Sequence, residues 1–125
     1  GLGTALAYFA SFTIIAASVI ALTQDNLKEA REHFLHILKK GENAIARFNL
    51  GTLLYREKKE DEALKEFQKA IELDPRLQRA YLAIADILGK GNKKDEAREQ
   101  LRRALEVDPD SAEAERARQM LRGLQ

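Results

Sequence analysis

His33 and His36 lie three residues apart, a spacing that puts two imidazoles on one helix face where they could approach a shared metal ion. Without a third ligand of fixed geometry they make a weak site, and exposed structural histidines are the better reading. Gly89-Lys90-Gly91 has residue types of a phosphate loop but not its spacing, and it falls where a helix should end on a C-cap glycine. The three serines, Ser11, Ser18 and Ser111, have no placed base. Carboxylates run together at Glu60-Asp61-Glu62 and Asp95-Glu96, at turns where acidic side chains complement the start of the next helix. The absence of cysteine removes thiolate nucleophiles, disulfides and Cys-ligated zinc. These residues predict no enzyme, no metal and no cofactor.

The charges point the same way. The 21 Lys+Arg and 20 Asp+Glu interleave and leave a net charge of +1, whereas a nucleic-acid binder needs a basic surface of one sign. No polybasic block is present that would read anionic lipid. Every charge falls after residue 24, so an uncharged leading stretch precedes a region rich in charge. At 125 residues the chain suits one domain and an appendage.

The elements carrying these residues read as helices. Ala, Leu, Glu, Lys and Arg dominate, apolar residues recur at three- and four-residue spacing, and no segment alternates with period two. Helices are expected near 3–23, 26–40, 43–57, 60–73, 76–90, 94–106 and 110–122. Asp74-Pro75 and Asp108-Pro109 read as an N-cap followed by the first helical residue. The strongest signal is repetition: DEALKEFQKAIELDP from Asp61 returns as DEAREQLRRALEVDP from Asp95, an offset of 34 without a gap. A helix precedes each copy, ARFNLGTLLYREKK from Ala46 and YLAIADILGKGNKK from Tyr81.

These units resemble the tetratricopeptide repeat family. The first supplies Leu50, Gly51, Ala63, Phe67, Ala70 and Pro75, and the second Ile84, Ala85, Ala97, Leu101, Ala104 and Pro109. The family's first-helix Trp is replaced by Arg47 and Tyr81. The resemblance implies an all-α helix-turn-helix solenoid over 25–125, with a partial unit at 26–43, full repeats at 44–77 and 78–111, and a polar capping helix at 112–125. In the partial unit, Ala30, Phe34 and Ile37 take the places of Ala63, Phe67 and Ala70. Small residues at Gly51, Ala63, Ala85 and Ala97 should let paired helices approach, while Phe67, Leu73, Leu101 and Val107 fill the gap between units.

By the same resemblance, first helices line a peptide-binding groove, here Ile45, Phe48, Asn49, Thr52, Tyr55, Arg56, Arg79, Leu82, Asp86 and Lys90. Apolar patches beside Arg56, Arg79 and Lys90 suit a peptide with apolar anchors and an acidic group. Chaperone-binding members grip a C-terminal carboxylate with Lys, Asn, Asn, Lys and Arg. The corresponding residues here are Ile15, Val19, Asn49, Arg79 and Ala83, so chaperone-tail binding is not expected.

The uncharged stretch has the length of a membrane span. As a helix, 22 residues would cover roughly 33 Å against a hydrocarbon core of about 30 Å. Residues 1–24 are therefore expected to form a single transmembrane helix, with Ala7, Ser11, Ala17 and Ala21 letting another helix pack closely. By the positive-inside rule, Lys28, Arg31, Lys39 and Lys40 after it lead to the expectation of a repeat domain on the cytoplasmic, or equivalent, side. The expected function is a membrane-anchored protein-interaction scaffold, an assembly factor or accessory subunit whose partners are an integral membrane protein complex and the lipid bilayer, not nucleic acid. The alternative is a soluble adaptor that buries its apolar first helix in a homo-oligomer, with residues 11–22 as the first helix of a leading repeat.

Overall fold

The computed structural model describes residues 23–125, and packing divides the chain into two units, 1–33 and 34–125. Helix α1 is described over residues 23–40. Five helices follow: α2 (Ala44–Arg56), α3 (Glu60–Leu73), α4 (Gln78–Lys90), α5 (Lys94–Val107) and α6 (Ala112–Gly123). Among the described residues there is no strand, and the all-α solenoid is the observed architecture. None of the described helices is long and apolar enough to cross a membrane. The span expected over 1–24 lies outside the described residues except for its last two, and its packing residues Ala7, Ser11, Ala17 and Ala21 lie wholly outside them.

Within residues 34–125, α2 packs on α3 and α4 on α5, with α3 against α4 joining the pairs and α6 against both α4 and α5. The closeness of each pair comes from missing side-chain atoms. Ala63, Ala70, Ala97 and Ala104 are fully buried, and a Cβ on Gly51 would sit 2.7 Å from the Phe67 ring. Phe67 is 2% exposed and tilts against Phe48 at 5.4 Å. One repeat later, Ala85 and Leu101 replace Gly51 and Phe67, a methyl returning where the ring has shrunk to an isobutyl group; both are buried.

The Asp-Pro pairs do not start helices. Asp74 and Asp108 are the C-caps of α3 and α5, while α4 begins at Gln78 and α6 at Ala112. Proline disfavours the helical backbone of the residue before it, so the preceding helix ends there. Each Asp carboxylate then accepts the backbone N–H two residues on, Arg76 and Asp110, at 3.0 Å, closing a tight turn. The side-chain caps are Asn43, accepting from Ala46 N, and Ser111, accepting from Ala114 N. The acidic first turns of α3 and α5 follow N-cap residues Lys59 and Lys93, which make no side-chain cap bond.

Helix α4 ends on Gly91 as its C-cap, as expected, and each pair turns on the left-handed residue that follows the C-cap. Gly91 has an ordinary φ of −81°, and the left-handed residue is Asn92 at 62°, matched 34 residues earlier by Lys58 at 64°. Lys59 N–H and Lys93 N–H reach back to the Leu54 and Leu88 carbonyls at 2.9 and 2.8 Å, the six-residue bond that ends a helix on a left-handed residue. Leu73, expected between units, is 44% exposed. The turn at Asp74 brings Leu77 into the core beside Ala70 and Ala80 in its place. Val107 is half-buried.

Where a bond from the backbone is lacking, a side chain supplies it. The Gln78 amide donates to the carbonyls of Ala104 at 2.8 Å and Asp108 at 2.9 Å, finishing the end of α5. Arg47 joins Glu42 at 2.7 Å to Glu66 at 3.0 Å. Its hydrogen bond holds the Glu42 carboxyl below the usual 4.5, and Arg102 does the same for Glu99.

Three outcomes follow from this packing. Gly51→Val should lower stability by about 2 kcal/mol through overpacking against Phe67, and combining it with Phe67→Ala should cost less than the sum of the two, measured by urea unfolding. Lys58→Gly should raise stability by about 1 kcal/mol by relieving the left-handed backbone. Carboxyls held low in the folded state stabilise it above about 4.5, and that contribution is lost as pH falls through their lowered values. The thermal midpoint should therefore decline below that pH, and less steeply in Glu42→Gln.

Candidate functional site

Because α2, α4 and α6 are related by the same 34-residue offset, their side chains form rows. Phe48, Leu82 and Arg116 make one row, and Thr52, Asp86 and Met120 the next. All six line a single cleft of about 590 Å³, together with Arg56, Arg79 and Ala83. Six of the ten residues expected in the groove are thus brought together: Phe48, Thr52, Arg56, Arg79, Leu82 and Asp86. Tyr55 and Lys90 stand beside the cleft, attached to it through Asp86. Ile45 and Asn49 do not line it; Ile45 lies in the first turn of α2 and is 46% exposed.

Arg116 and Met120 escaped the sequence reading because the charged α6 reads as a cap. The offset itself could have found them, by stepping once more from Leu82 and Asp86. Ala114 and Ala117 are the buried residues of α6.

The polar groups differ in what already holds them. Tyr55 donates its hydroxyl to Asp86 at 2.8 Å, Lys90 pairs with Asp86 at 3.2 Å, and a short Lys90–Tyr55 hydrogen bond closes the triangle. The Lys90 ammonium also lies 5.0 Å from the centre of the Tyr55 ring. Bonding to the Tyr55 hydroxyl, then to Asp86, raises the Lys90 pKa, so it stays charged. This triangle ties α2 to α4 and neutralises the carboxylate in the cleft. Arg79 rests over the Phe48 ring at 5.4 Å, a second cation–aromatic contact between the same helices. Thr52 donates to the Phe48 carbonyl of its own helix at 3.1 Å.

The side chains that suggested chemistry in the sequence lie elsewhere. His33 and His36 are exposed, and among the described residues no group of three or more His, Asp or Glu is arranged to hold a metal ion. Gly89 and Lys90 end α4, and Gly91 is its C-cap. The cleft offers apolar contact and charge. Tyr55→Phe should cost about 1 kcal/mol of stability by removing the bond to Asp86, read as a lower urea midpoint with unchanged helix content.

No curated protein sequence matches the chain. Solved structures do. The translocator chaperone SycD of Yersinia enterocolitica type III secretion superposes with a TM-score of 0.72 at 18% identity, covering 82% of this chain and 74% of its own. The TPR2B domain of yeast Sti1, in a complex with pHsp70, gives 0.72 at 24% identity over 82% and 86% of the two chains. YrrB, described as a TPR protein with an unusual peptide-binding site, gives 0.65 at 26% identity over 78% of this chain, which spans about half of YrrB, 51%. Two tetratricopeptide repeat profiles match the sequence, one over residues 54–121 and one over 15–77, each more than half of the chain. The chain belongs to the tetratricopeptide repeat family.

Proposed function

We propose that the protein is a membrane-tethered interaction module that receives a peptide segment of a partner protein in the cleft between α2, α4 and α6. The observation that carries this reading is the cleft itself, built from equivalent positions on three successive first helices, with Phe48, Leu82 and Met120 offering apolar seats among charged groups. The family is one of stacked helix pairs whose extended surfaces suit such binding, and the similar chain YrrB is described as having a peptide-binding site. A tether is supported by the sequence alone, through the uncharged residues 1–24. With a tether at that end, the partner is an integral membrane complex or a protein assembled with one.

A second reading has one observation in its favour. The profile match that begins at residue 15 takes part of the uncharged stretch into a repeat. In that reading residues 15–22 serve the array and the apolar surface is covered by a second copy.

Alkaline carbonate extraction separates the two: the tethered protein stays in the membrane pellet, and release as a defined oligomer supports the second reading instead. For the cleft, a photo-crosslinker at Thr52 should join the chain to a partner polypeptide while one at the exposed Lys65 of α3 should not. Equal crosslinking at both positions would move the binding face away from the cleft.

A further inference from the structure

Most arginines in the described chain are already engaged. Arg47, Arg98, Arg102, Arg103, Arg118 and Arg122 pair with carboxylates, and Arg76 donates to the Val107 carbonyl. Arg31 also has an interaction of its own. Three remain without a hydrogen bond or ion pair among the described residues: Arg56, Arg79 and Arg116. All three line the same cleft, and Arg79 has only the Phe48 ring beneath it. Asp86, the one carboxylate among the described lining residues, is bound by Lys90 and Tyr55. Where the other arginines of the described residues are matched, the cleft thus keeps three unmatched guanidinium groups around Phe48, Leu82 and Met120.

Resting on the peptide-cleft reading, we propose that this cleft selects an internal acidic segment, with several side-chain carboxylates spread along it and an apolar side chain between them. Guanidinium groups present planar donor pairs that match carboxylates, and the apolar floor supplies what a bare anion site would lack. The spread follows from the repeat offset. Arg79 stands at the level of Ile45 and Arg116 at the level of Phe48, while Arg56 is eleven residues further along its helix than Ile45. At 1.5 Å per residue that separation is roughly 16 Å, more than one chain-terminal carboxylate can bridge. The set is also different from the terminal-carboxylate clamp, of whose five positions only Asn49 and Arg79 carry a matching type here. Nucleic acid is a poorer match, since the apolar floor and the braced Asp86 interrupt the positive surface.

The test is selection of random 12-residue peptides, in parallel pools with amidated and with free C-termini, against the full chain in detergent micelles. Affinities of the selected peptides are then measured by fluorescence anisotropy. Expected are sequences with Asp or Glu on both sides of a Leu, Phe or Met, about tenfold weaker on Arg56→Gln, Arg79→Gln or Arg116→Gln. Binding should also weaken steeply with salt and be unchanged by Lys65→Gln. Circular dichroism melts of the three exposed variants check that they fold. Neutral or basic sequences that still compete at the cleft would overturn the acidic selectivity and leave the peptide reading standing. No selected peptide sensitive to the cleft variants, or to Thr52→Trp, which fills the cleft, would remove both. A strict need for a free C-terminus, preferential capture of phosphatidylserine vesicles, or saturation of the cleft by a second copy of the chain would each overturn the proposal.

Discussion

The contact between Gly51 and the Phe67 ring sets the spacing on which the rest depends. A helix pair can approach only as far as its bulkiest facing atoms permit, and here one partner gives up its Cβ so that the other can present an aromatic ring. The next pair reaches the same end with Ala85 and Leu101. Because volume is conserved between the two solutions, the second repeat superimposes its offset on the first, and α4 comes to rest with neighbours on both sides. Seven buried residues on that short helix, from Ala80 to Leu88, record how completely it is enclosed.

The cleft is a consequence of this regularity and not a separate device. Once first helices recur at a fixed offset, whatever side chains stand at residues 48, 82 and 116, or at 52, 86 and 120, must line a common surface. Its chemistry is then decided by substitution at those places. Phe48 and Leu82 give way to Arg116 along one row, and Thr52 and Asp86 to Met120 along the other, so the cleft becomes apolar and basic together. The same helices are held in register by Tyr55, Asp86, Lys90, Arg79 and Phe48, which makes part of the lining structural.

Helix identity and the repeat were legible because periodicity and a gapless 34-residue copy are properties of sequence alone. Small residues at Gly51, Ala63, Ala85 and Ala97 were readable for the same reason, since only size matters there. The starts of α3 and α5 were legible too, but those of α4 and α6 were not. Asp-Pro has the residue types of an N-cap, yet the backbone restriction before proline acts on the helix that is ending, and three more residues pass before the next begins. Lys58 in a left-handed conformation gives no local signal, because its φ is imposed by the bond from Lys59 to Leu54 and not by its own preference. In the cleft, the residues contributed by α2 and α4, Ala83 excepted, were among those that the family pattern suggested. The part played by α6 did not, because its exposed charges outweigh its few inward residues, and because ion pairing, which singles out Arg56, Arg79 and Arg116, depends on distances that sequence does not contain.

The brace at Lys90 also bears on the conditions under which the cleft would work. By engaging the lysine and the carboxylate with each other, it would leave recognition to guanidinium groups, a side-chain type that stays charged near neutrality. Acidity across the physiological range would then leave the receptor side unaltered, while dissolved ions would weaken its hold on a ligand. Such a module would respond to the ionic strength of its surroundings and be blind to modest swings in their pH.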